Sequence, residues 1–342
     1  MKAMILAAGF GTRLGILSKQ RPKPMLPLGS RPIIGHLVHK LSIAGIKEIA
    51  VNLHYKGQVI RDYLGDGSGW GVKITYSDEK DEILGTGGGV KKLAEFFGDD
   101  PVLIINGKIA TDIDFQEVIK FHKKKKKLAT LVLKKDHLAS KWGSFKVGPD
   151  GLITAMLGKD QNGNSVDSGP CMFTGIQILS PSFIEKLPSG YSCLVRQGYK
   201  PFFDQGCKFA GCVMPEQTYW WEHSTITRYY QGCMNLLKFP EHSTELSKIS
   251  GMAEFLLEPE AKQFYFSPSI KTDGQIILGN RVIIGQNVHL QNNIQLNNCI
   301  IWPNTKVCTS LSHQIACPQG IIDVNIQEKG PYTGPATTPD PG

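Results

Sequence analysis

MILAAGFGTRLGILSKQRPKPMLP, from Met4 to Pro27, decides how the rest of this 342-residue chain is read. The apolar run Met4 to Ala8 has the length of a buried strand. It breaks at Gly9 into a loop with Gly11, Thr12 and Arg13, and a second basic segment follows at Arg21 and Lys23. Glycines just past a strand let the backbone approach a ligand, and their N–H groups can face phosphate oxygens. Arg13 and Lys23 add the fixed positive charge that a triphosphate needs. Two familiar phosphate loops are excluded. No Gly-Lys-Ser/Thr ending is present, and Leu14 stands where the dinucleotide fingerprint requires its third glycine. A glycine-rich turn with no ligand is the plain alternative.

Composition bounds the rest. A chain of this length holds one large core or two domains. Hydrophobic residues at 41% and charged residues at 20% are ordinary for a globular protein. The net charge is +8, but Lys123 to Lys127 supply five of those charges, leaving +3, too little to argue for nucleic acid. That run follows a helical pattern (Phe115, Val118, Ile119, His122), and cations at a helix C-terminus complement its dipole. The eight cysteines show no Cys-x-x-Cys and no cluster with histidine at zinc spacing. A reduced, cytoplasmic protein is expected, with no signal peptide and no transmembrane stretch.

Strand and helix patterns alternate up to Asn106. A helix is expected over Pro32–Ala44, a strand over Glu48–Leu53, a helix over Gln58–Leu64 and a strand over Val72–Tyr76. A helix over Gly87–Phe97 and a strand over Val102–Asn106 follow. This order indicates βαβ units and a mainly parallel sheet, with ligands at the carboxyl ends of the strands. The opening loop and Asn106–Lys108 would share one crevice. From Leu128 the pattern becomes an inserted antiparallel portion: strands at Leu128–Leu133, Trp142–Val147, Leu152–Met156 and Cys171–Leu179, and strand-like Val213–His223 before a helix at Thr225–Leu237. Between Leu278 and Val307 the period changes to six residues, as in Leu278-Gly-Asn-Arg-Val-Ile and Ile284-Gly-Gln-Asn-Val-His. Hexapeptide repeats of this kind stack as a parallel β-helix. Domains are expected over 1–239 and 269–328, joined by a connecting segment over 240–268, with a disordered tail over 329–342.

Leu6-Ala-Ala-Gly-Phe-Gly-Thr-Arg-Leu14 followed by Pro22-Lys-Pro-Met-Leu-Pro27 resembles the signature of the sugar-1-phosphate nucleotidylyltransferases. That family includes the mannose-1-phosphate guanylyltransferases and the N-acetylmuramate-1-phosphate uridylyltransferases. Glu82-Ile-Leu-Gly-Thr-Gly-Gly-Gly89 is similar to its second glycine segment, and Val51-Asn-Leu-His54 and Phe173-Thr-Gly-Ile-Gln177 resemble the same two branches. The resemblance implies a Rossmann-like α/β nucleotidyltransferase domain with a mixed, mainly parallel sheet, followed by a short left-handed β-helix of the kind that often mediates homo-oligomers. It implies attack of a sugar-phosphate oxygen on the α-phosphorus of a nucleoside triphosphate, normally with Mg²⁺. Arg13 would grip the outer phosphates and Lys23 the α-phosphate. Leu6, Ala8, Gly9, Gly11, Thr12, Gly85, Thr86 and Gly88 would contact the nucleotide. Lys159, flanked by Gly158 and Asp160 where the family has Glu and Pro, would join Gly175 on the sugar phosphate.

Two departures touch the metal. Where the family has Asn-Gly-Asp, this chain has Asn106-Gly107-Lys108, and its Trp-Trp-Asp becomes Trp220-Trp221-Glu222. Mg²⁺ needs oxygen ligands, and an ammonium has no lone pair to offer. Glu222 can still ligate. Asp114 with Glu117 reads as a capping box, and His223 as a packed residue. Three readings follow: an active enzyme in which Lys108 supplies charge and the nucleotide brings its own Mg²⁺; a catalytically silent relative that binds a nucleotide or nucleotide-sugar and regulates a protein partner; and, ranked last, an acyltransferase on the β-helix. Guanine with mannose is the first expectation, uracil with an N-acetylated sugar the second.

Overall fold

The computed structural model describes residues 1–29, 31–80, 82–166, 169–238, 264–267 and 269–324. A nine-stranded mixed sheet forms its centre. Along its main path the order is Ile153–Met156, Ser144–Val147, Cys171–Leu179, Val102–Asn106, Lys2–Leu6, Glu48–Leu53 and Lys73–Asp78. Lys2–Leu6 is central. It pairs in parallel with Glu48–Leu53 through Ala3↔Ile49, and with Val102–Asn106 through Ala3↔Leu103. The apolar runs serve two cores because successive side chains point to opposite faces. Ala3, Ile5, Leu103 and Ile105 enter one buried cluster, while Met4, Val102 and Ile104 enter the other.

The helices Ile33–Ile43, Gly57–Leu64 and Ile226–Lys238 match the expected segments within a residue or two. Asp114 caps Phe115–Lys125, accepting from Gln116 N at 2.7 Å, and the lysine run occupies the last turn and the residues after it. The expected helix Gly87–Phe97 is instead two, Gly85–Lys92 and Ala94–Phe97, broken at Leu93. The expected strand Val213–His223 is also two, separated around Pro215, which cannot donate to a ladder. Ala210–Val213 pairs in parallel with Ala129–Lys135, within the large sheet. Trp220–Glu222 pairs with Ile109–Thr111 instead, in the register Glu222↔Ile109. That second pairing brings Glu222 beside Lys108.

The antiparallel portion adds strands to the same sheet, with Ile176 opposite Ile105. Cys171–Leu179 changes register against Ala129–Lys135 between Phe173 and Gln177. Gly175, at φ +77°, lies in that irregularity, where a side chain would run into Asn106.

Beyond residue 263 the strands visit three sheets in turn, and successive turns pair in parallel: Phe264↔Val282↔Cys299, Lys271↔His289↔Lys306 and Ile276↔Ile294. This arrangement is compatible with a β-helix. The expected connecting segment lies outside the described residues from 239 to 263, and the expected tail falls entirely outside them. Ile300, Trp302 and Ile315 belong to the same buried cluster as Leu17, Tyr229 and Met234, so these strands pack directly on the α/β core. All eight cysteines are free. No helix among the described residues is long and apolar enough to cross a membrane.

Candidate active site

Two cavities meet at the carboxyl ends of the central strands. The first, of about 230 Å³, is lined by Leu6, Ala8, Gly9, Arg13, Lys23, Gly85, Thr86, Asn106 and Lys108, among others. Both basic residues of the opening segment and both glycine segments therefore reach one space. A pair that sequence reasoning missed ties them together. Asn52 Oδ1 accepts from Ala7 N at 2.8 Å, and Asn52 Nδ2 donates to Glu79 Oε1 at 2.8 Å. Glu79 Oε2 in turn accepts from Leu84 N at 2.9 Å. Asn52 and Glu79 are each 2% exposed, so the network works away from bulk water. Gly89 makes room for the pair, since a Cβ there would stand 2.9 Å from Glu79 Oε1.

The glycines divide by role. Gly9 has nothing within 4 Å of where a Cβ would stand, and it faces the cavity. At Gly11, with φ +72°, a Cβ would stand 3.7 Å from the Cβ and Cε of Lys23. Thr12 is exposed at the start of a short 3₁₀ segment, and Gly11, Thr12 and Gly88 are not among the residues lining the first cavity. Gly88 is small for a different reason: a Cβ there would collide with the Gly190 carbonyl. The amide of Gly87 donates to Ser192 O at 2.7 Å. The segment 190–192 leaves no room for side chains at positions 87 and 88.

The second cavity, of about 410 Å³, shares Asn106 and Lys108 with the first and adds Lys134, Asp136, Gly175, Glu222 and Arg228. Lys108 Nζ lies 2.5 Å from Glu222 Oε1, the two side chains keeping 28% and 17% exposure. Burial pushes the Glu222 carboxyl up, but Lys108, with help from Arg228 and Lys23, outweighs it and holds Glu222 at about 2. Arg228 Nε donates to the Glu222 carbonyl at 3.0 Å, and its guanidinium lies 4.8 Å from the Trp221 ring. Lys134 is 3.7 Å from Asp136. Lys134 and Arg228 were not singled out from the sequence, because neither belongs to a motif.

Lys159 reaches neither cavity. It is exposed and bridges Met156 and Ser165 in a tight loop. Asp160 stabilises that loop by accepting from Asn162 N and Asn164 N. The neighbours that replace Glu and Pro thus build a turn that carries Lys159 outward. His223 is fully buried, its amide donating to Lys108 O at 2.9 Å, which fixes the backbone of Lys108.

The donor set does not suit a protein-held divalent cation. Glu222 is already matched by an ammonium, and Asp112 spends a carboxylate oxygen on Tyr219 N at 2.8 Å. No group of three or more His, Cys, Asp or Glu able to hold a metal occurs among the described residues. At the two positions where the resemblance places metal-binding carboxylates, Lys108 and Glu222 form an ion pair with each other.

The family model described as nucleotidyl transferase matches residues 2–190. The chain belongs to that family. Among nucleotidyl transferases it is 31% identical over 69% of its length to a UTP–glucose-1-phosphate uridylyltransferase of Synechocystis, and 28% identical over 69% to a mannose-1-phosphate guanylyltransferase of Mycobacterium tuberculosis. These matches span 63% and 64% of the relatives' own lengths, less than two thirds. An N-acetylmuramate α-1-phosphate uridylyltransferase of Neisseria meningitidis is 35% identical over 56% of this chain and 80% of its own. In fold, the chain is similar to crystalline HddC of Yersinia pseudotuberculosis, with a TM-score of 0.56 at 24% identity, over 68% of this chain and 98% of that one.

Proposed function

We propose that this nucleotidyl transferase joins a nucleoside triphosphate to a sugar 1-phosphate, releasing pyrophosphate. The observation that carries the reading is Lys108, whose side chain borders both cavities. The triphosphate would occupy the first cavity, with Arg13 on its outer phosphates and Lys23 on the α-phosphate. The sugar phosphate would occupy the second, its anion facing Lys134 and Arg228. An oxygen of the sugar phosphate attacks the α-phosphorus, the bond to the bridging oxygen breaks, and pyrophosphate leaves with that electron pair. No side chain forms a covalent bond. The protein's work is to align two anions and to stabilise the charge that shifts between them. Lys108 supplies a fixed cation where those anions meet.

GTP with mannose 1-phosphate is the first choice of substrates, supported by the activity named for the Mycobacterium relative. UTP with an N-acetylated sugar comes second, on the Neisseria relative. The C-terminal strands would complete a left-handed β-helix and mediate a homo-oligomer. The test is pyrophosphate release across GTP, UTP, dTTP, ATP and CTP against several sugar 1-phosphates, in which one pair should stand out.

A second reading has its own support. With Lys108 and Glu222 neutralising each other, the site also suits a silent protein that binds a nucleotide or nucleotide-sugar and signals to a partner. Binding of a triphosphate without pyrophosphate release from any pair would favour it.

A further inference from the structure

The segment that carries Lys23 is held from behind by the C-terminal strands, and the hold passes through one buried hydroxyl. Tyr229, in the helix Ile226–Lys238, is fully buried. Its hydroxyl donates to the Pro27 carbonyl at 2.6 Å and accepts from Trp302 Nε1 at 2.9 Å. Trp302 is 1% exposed, and the Arg21 guanidinium lies 4.9 Å from its ring. Nearby, Ile16 faces Gly320 across a gap that a Cβ on that glycine would close, its Cδ1 3.9 Å from where that Cβ would stand. The C-terminal strands thus meet the opening segment at Arg21, and reach Pro27 through Tyr229. Lys23 lies between Arg21 and Pro27.

Packing alone does not call for this arrangement. A phenylalanine at 229 would fill nearly the same volume, whereas a buried O–H and a buried indole N–H each need a partner. Here they satisfy one another and fix a carbonyl of the segment. The segment transmits that restraint because it is stiff. Pro22, Pro24 and Pro27 each lock φ. A short 3₁₀ turn, with Met25 N bonded to Pro22 O at 2.8 Å and Leu26 N to Lys23 O at 3.1 Å, leaves little slack between Lys23 and Pro27.

We propose that Trp302 and Tyr229 are positioning residues for Lys23, so that the C-terminal strands form part of the support of the triphosphate site. The proposal rests on the role given to Lys23 above. The experiment compares Trp302→Phe and Tyr229→Phe with the natural protein by amide hydrogen exchange and by calorimetric titration with GTP, UTP and mannose 1-phosphate. Exchange over residues 16–28 should quicken about fivefold in both variants, and triphosphate affinity should fall by about fivefold, the scale of one lost hydrogen bond. Affinity for the sugar phosphate should change less than about twofold, which a loss of general stability would not produce. Unchanged exchange over 16–28 in both variants, or equal weakening of both ligands, would overturn the proposal, whatever the melting temperature does. If the natural protein binds neither triphosphate, the functional reading fails on its own, and the exchange rates alone then decide whether the brace exists.

Discussion

In the proposed reaction Lys108 carries two opposed charge duties, toward Glu222 and toward a triphosphate, and they separate on substitution. Lys108→Ala should weaken triphosphate binding by about tenfold, the loss of one charge-assisted contact, and monophosphate binding less. Equal weakening in a calorimetric comparison would count against a phosphate role. The same change leaves Glu222 without its partner. A fully buried pair broken this way costs about 3–5 kcal/mol. The residual exposure of 28% and 17% reduces the expected cost here to about 1–2 kcal/mol in urea unfolding. His36 provides a separate test at this scale. It is 2% exposed and bonds the Leu28 carbonyl through Nε2 at 2.8 Å, and burial lowers it to about 4. The unfolded chain takes up this proton at about pH 6.5, and the folded chain only near 4. Stability must therefore fall as pH drops through that window, by up to about 1.4 kcal/mol per pH unit from this residue. Buried His223, lowered to about 3, adds a like dependence, so urea midpoints at neutral pH and near pH 5 should show the combined slope and His36→Gln should reduce it by the share of His36.

Among the elements, the two glycine segments look alike in sequence and differ in cause. Gly9→Ala has room, so it should change stability by less than about 0.5 kcal/mol while weakening nucleotide binding. Gly88→Ala meets the Gly190 carbonyl and should cost about 2 kcal/mol or more in stability. Thermal melts with parallel nucleotide titrations would read both effects. If Gly9→Ala binds nucleotide as well as the natural protein, the loop is only a turn. This contrast shows how far the sequence could be read. The fully apolar runs at Met4 and Val102 marked buried central strands, and the signature strings marked the first cavity's walls. The segment 190–192 that presses on the second glycine run left no local pattern, because the contact is long-range. Leu93 and Pro215 split elements that looked continuous. Lys159 fell where the resemblance put a ligand, but its turn-forming neighbours faced it away. Asn52 and Glu79 were invisible as a pair, since their bond exists only once two strand ends lie side by side.

At the level of the whole molecule, the six-residue period foretold parallel sheets but not what they rest on. Trp302 falls within the six-residue repeat, and only the fold shows it against Tyr229 and Arg21. Charge gave the broadest exclusion: once the helix-end lysines are set aside, the remaining excess is small, and the cations that matter are those lining two cavities. The proposed reaction passes a nucleotidyl group between those cavities across Lys108 without a carboxylate-held metal. It is tested most directly by pyrophosphate release with GTP and mannose 1-phosphate, and with UTP and an N-acetylated sugar 1-phosphate. The natural protein, Lys108→Ala and the double variant Lys108→Asp, Glu222→Asp are run side by side. Turnover is expected from the natural protein, with a loss of about a hundredfold or more in Lys108→Ala. Release by the double variant alone, with none from the natural protein, would contradict it and leave a silent nucleotide-binding protein.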